Sequence, residues 1–163
     1  MEEVVLQPST ISATDLATLL VEEMIDHPHI HARHLEMDKD ISIRFKDKTW
    51  LYQVATVLMA IMSTEQQKKE FESVKNELEK LIFPPSPTPD ALHLVSRIRD
   101  AMKDLQSLLF PTNPRAQMSW ARAWLLGINI DESNPATLSL FSMQCMDFYI
   151  CVKECLDTFR IEV

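Results

Sequence analysis

Apolar residues recur at helical spacing along almost the whole chain. Leu16, Leu19, Leu20 and Met24 share one side of a segment running from about Ala13 to Ile25, with Ser12 or Thr14 placed to cap it. Trp50, Val54, Val57, Leu58 and Ile61 form a second stripe. Phe71, Val74, Leu78 and Leu81 form a narrower third, in a charged segment suited to lying against one partner helix. Ser63 followed by Gln66 is a capping-box pattern, so a new helix is predicted to open at Ser63; one unbroken helix over 49–83 is the alternative. Further helices are predicted over 89–110 and 114–126, the latter closed by Gly127 in the left-handed conformation. The last predicted helix, about 135–158, is the most apolar. Leu138, Phe141, Cys145, Phe148, Val152, Cys155 and Phe159 keep strict three-four spacing there, and Leu140, Met143 and Ile150 widen the stripe. A helix apolar on most sides is either central in a bundle or covers a partner.

One stretch breaks the period. Ile41, Ser42, Ile43, Arg44, Phe45 and Lys46 alternate apolar and polar, the signature of a half-buried strand. The predicted fold is therefore all-α: a compact bundle of five to seven helices, with at most one short β-hairpin near residues 30–46.

Proline supplies the punctuation. The run PPSPTP at 84–89 forbids helix and reads as a stiff connector. The stripes on either side of it each need a partner, so one domain over 1–163 is expected. Thr88-Pro89, Asn113-Pro114 and Asn134-Pro135 each place a capping residue before a proline suited to the first helical position.

Composition changes the picture mainly through glycine, of which the chain has one, Gly127. Phosphate-binding loops, dinucleotide turns and nucleophile elbows use glycine to bring backbone close to a ligand. None of those loops can be built here, and no cofactor or catalytic motif is expected. The net charge of −8 is uneven: residues 1–26 hold six acids and no Lys or Arg, whereas residues 84–130 hold five bases and three acids. An acidic chain is a poor general binder of nucleic acid. Its longest apolar run, WLYQVATVLMAIM, has 13 residues, short of the roughly 20 that span a bilayer, so no membrane partner is expected. The acidic N-terminal residues do not read as a signal peptide. Three cysteines, Cys145, Cys151 and Cys155, lie in one helical segment, which argues against a disulfide framework and for a reducing compartment, cytoplasmic or nuclear.

Three groups of residues carry candidate chemistry. Four of the five histidines fall within HPHIHARH, residues 27–34. If that segment is helical, His27, His31 and His34 share a face that could hold Zn²⁺ with Asp38; the alternative is a solvated polar connector, or a pH-sensitive one. Arg97, Arg99, Lys103, Arg115 and Arg122 make residues 84–130 positive, and Trp120 and Trp124 lie one turn apart near Arg122. Exposed, that set would suit nucleic acid in a ribonucleoprotein or defence complex; with both tryptophans in the core it would not. Cys151 and Cys155, one turn apart, suit a metal or simple packing, and packing is the stronger reading. The preferred function is a non-catalytic helical interaction subunit or adaptor. It would bind a protein partner or a second copy through Leu138, Phe141, Phe148, Val152 and Phe159.

Overall fold

The structure, a computed structural model, describes residues 9–31, 35–83, 88–109 and 115–162. Helix α1 (Ala13–Leu19) starts where Ser12 caps it, its side chain accepting from the Asp15 amide, and continues into a π-helical turn over Leu20–Ile25. Then follow α2 (Lys39–Met62), α3 (Lys68–Ile82), α4 (Pro89–Leu109), α5 (Ala116–Leu126) and α6 (Pro135–Asp157). The helical bundle read from the periodicity is present.

Its β element lies elsewhere than expected. Strands β1 (Ser9–Ile11) and β2 (Phe159–Ile161) pair in parallel, Thr10 opposite Arg160. The outer edge of β2 is closed by a side chain: Gln67 accepts from the Ile161 amide and donates to the Ile161 carbonyl. Residues 39–46 are not a strand. They are the first two turns of α2, capped by Asp38, whose carboxylate accepts from the Ile41 amide at 2.8 Å. In a helix Ile41 and Phe45 fall on one side, and Phe45 is buried. Ile43 turns outward and is 51 % exposed. Extending a helix already formed over 49–62 costs little beside nucleating an isolated hairpin.

That extended α2 is the central helix, one of the two roles that the apolar pattern allows α6. Every residue from Leu51 to Leu58 is buried, with α3, α4, α6 and the π-helical turn packed around it. Two apolar clusters meet across it. One joins α1, α3 and the C-terminal half of α6 around Val54, Val57 and Ile61. The other joins α4, α5 and the N-terminal half of α6 around Tyr52 and Ala55, with Trp120, Trp124 and Phe141 in edge and stacked contacts.

The helix ends follow side-chain chemistry with two corrections. Thr88 and Asn134 cap α4 and α6 as the sequence implied, each side chain accepting a backbone amide bond; Asn113 and Pro114 lie outside the described residues, as does connector segment 84–87. Ser63 does not open a helix. It ends α2, its hydroxyl donating to the Ala60 carbonyl, and α3 starts only after Gln67, which takes a left-handed φ of 49°. Gly127 is not left-handed: its φ is −61°, and Asn129 supplies the positive φ of 66° in that turn.

Candidate functional site

The predicted partner stripe of α6 is turned inward. Leu138, Phe141, Phe148 and Val152 are buried with Cys145 and Leu156, and Phe159 packs half-buried against the same core. Those residues hold the chain together and leave no surface for a partner. What α6 presents outward is its opposite side. Leu140, Met143 and Ile150 are 50 %, 54 % and 50 % exposed. Their spacing of three and seven keeps them on one stripe, which the exposed Asp147 and Glu154 share and the exposed Cys151 borders. The sequence had treated these three as the margin of the inner stripe; a helix apolar on both sides gives no internal sign of which side the fold consumes.

The histidine segment is not helical. Asp26 to His31 runs as a bend and extended chain along α2, so the one-face arrangement of His27 and His31 does not form; His34 lies outside the described residues. The segment is fastened by Gln53, buried in α2. Its side-chain amide donates to the Met24, Ile25 and His27 carbonyls and accepts from the His29 amide. His29 rests its ring on Phe148, with Nε2 2.6 Å from the Glu23 carbonyl. The His31 amide donates to Gln144 of α6. His27 and His31 side chains are exposed, and among the described residues no three His, Cys, Asp or Glu gather as metal ligands.

The five basic residues do not form one face. Arg97 and Arg99 leave opposite sides of α4: Arg97 faces α2 beside Asp100 and Asp104, while Arg99 faces α3 near Lys75 and Glu79. Lys103 and Arg115 are exposed, and Arg122 is 3.8 Å from Asp131 in a solvated pair that adds little stability. Trp120 and Trp124 are buried at 6 % and 2 % exposure, so neither can stack a base.

A second feature was not legible as a site. Between α2, α4 and the turn after α5 lies a cleft of about 550 Å³. Lys48 enters it from α2. Its ammonium donates to the Trp124 carbonyl at 3.0 Å and stands 4.5 Å from the Trp124 ring centre. A Cβ at Gly127 would lie 2.7 Å from Lys48 Nζ, so a side chain there would push the lysine's flexible end aside. Burial lowers the pKa of the Lys48 ammonium, opposed by the Asp104 charge across the cleft. Burial likewise raises the Asp104 carboxyl, opposed chiefly by Lys48. Both are half-buried charges, and among the described residues the two do not close into an ion pair.

Compared with protein-family models, curated proteins and solved structures, the chain matches none.

Proposed function

We propose that this chain is a non-catalytic helical interaction subunit whose docking surface is the outer side of α6. One observation carries the reading. Leu140, Met143 and Ile150 are each half or more exposed on a single stripe of a helix whose other side is fully used by the core. Single exposed apolar residues are ordinary on a protein surface, but several on one stripe mark a contact face. Methionine suits such a face because its unbranched thioether adapts to different partners. The absence of glycine-built ligand loops from the sequence agrees with a binding role.

The test is size. Light scattering on the purified chain detects self-association; size exclusion of an extract of its own cells detects a different partner. The reading expects an assembly larger than the 18.8 kDa monomer in one of the two. It also expects the assembly to be lost in the double variant Met143→Glu, Ile150→Glu, whose sites are exposed and whose fold is spared. A monomer in both settings, or an assembly that survives the double variant, contradicts it.

A further inference from the structure

The cleft between α2 and α4 has a charge pattern that the bundle does not need for its own packing. Its α2 wall carries Arg44, Lys48 and Asp47; its α4 wall carries Arg97, Asp100 and Asp104. One wall is thus net positive by one charge and the other net negative by one. Among the described residues none of the six closes an ion pair with another. The floor between them is apolar, with Leu51 and Ile128. A cleft of this volume falls in the range that holds small ligands.

From this geometry we infer that the cleft is a binding site for a small amino-acid-type zwitterion with an apolar side chain. The ligand's carboxylate faces the α2 wall, where Lys48 is fixed by the Trp124 carbonyl and the indole face. Its ammonium faces Asp100 and Asp104 on α4. Its side chain covers Leu51 and Ile128. A ligand with net charge gains on one wall and loses on the other, whereas a zwitterion matches both. The Lys48 position is held by the Trp124 carbonyl and ring, which fix the ammonium at the cleft. Lys48 and Asp104 are both half-buried charges across that cleft, which is costly in the absence of a partner for each. This site is independent of the α6 face.

The test is titration of the full chain with L-leucine and L-phenylalanine, followed by calorimetry and by amide chemical shifts. N-acetyl-L-leucine, which keeps only the negative charge, and L-leucinamide, which keeps only the positive one, serve as controls. Saturable binding of at least one free amino acid is expected, with shifts centred on Lys48, Asp100 and Gly127. Each control, and each of the variants Lys48→Met and Asp100→Asn, should weaken it about tenfold or more, the loss of a charged hydrogen bond. Asp100 is exposed, so its variant folds and decides the matter alone if Lys48→Met does not. No saturable binding of either amino acid, controls that bind as well as the free amino acid, or full binding by folded Asp100→Asn would each overturn the inference.

Discussion

Half-burying a charge is costly, and Lys48 and Asp104 both do so across one cleft. For Asp104 the consequence depends on pH. Burial raises its pKa above the ordinary 3.8, so the folded chain holds that proton more tightly than the unfolded chain does. The stability tied to this group is therefore complete below the ordinary carboxylate range and is lost as pH rises through the raised folded value. Asp104→Asn is expected to melt with the wild type at about pH 3 and above it at about pH 7; thermal unfolding at the two values checks this, and a lower melting point at neutral pH would contradict it. The cysteines give a second prediction at this scale. Burial pushes the Cys145 thiol well up, and burial with the nearby Cys151 also raises Cys155, whereas Cys151 is exposed. Iodoacetamide should label Cys151 first and Cys145 only in denaturant, as peptide mass spectrometry would read. Gly127 shows why single residues were hard to read in advance. Glycine just past a helix suggests a left-handed cap, yet Gly127 keeps a helical φ and lies against the Lys48 ammonium. That contact is with a residue on another helix, which local spacing cannot reveal.

Elements were more legible where their signals are local. The caps at Ser12, Thr88 and Asn134 act within three residues of themselves, and all three serve as their sequence suggests. The strand reading over Ile41 to Lys46 failed because two turns of helix and a short strand can share one apolar pattern. Context decided it: Asp38 caps, and the helix runs on unbroken into the apolar stretch that starts at Trp50. Gln53, in the middle of that run, is the polar exception that ties the histidine segment down. Gln53→Leu fills the same space but strands three carbonyls and the His29 amide, so a loss of about 2 kcal/mol or more is expected in chemical denaturation. An unchanged midpoint would mean that solvent satisfies those groups. On α6 the two sides should respond unequally. Phe148→Ala removes a buried ring and is expected to cost about 3–5 kcal/mol. Ile150→Asp, on the outer side, should stay within roughly 0.5 kcal/mol of the wild type. Equal losses in urea titrations would place Ile150 in the core as well.

In the whole molecule, two apolar clusters share α2 as a common wall, and α6 runs along both. This division explains why the inner stripe of α6 is so long: it serves one cluster with Phe141 and Cys145 and the other with Phe148 and Val152. That division depends on which helices pack together, which periodicity within one helix does not specify. The helix count could be read from the chain, but the orientation of α6 could not. The histidine segment, conspicuous as a string of imidazoles, is held chiefly through its backbone to Gln53 and Gln144. Its side chains therefore say less about function than their number suggested. The proposed docking rests on the outer side of α6, apart from the cleft between α2 and α4.

The most direct test places a benzophenone photocrosslinker at Met143, with Glu72 on the exposed side of α3 as the control position, in the protein's own cells. The account predicts a discrete adduct, either one protein or a second copy of this chain, formed from position 143 and absent from position 72. No adduct at 143, or the same diffuse set from both positions, would contradict it.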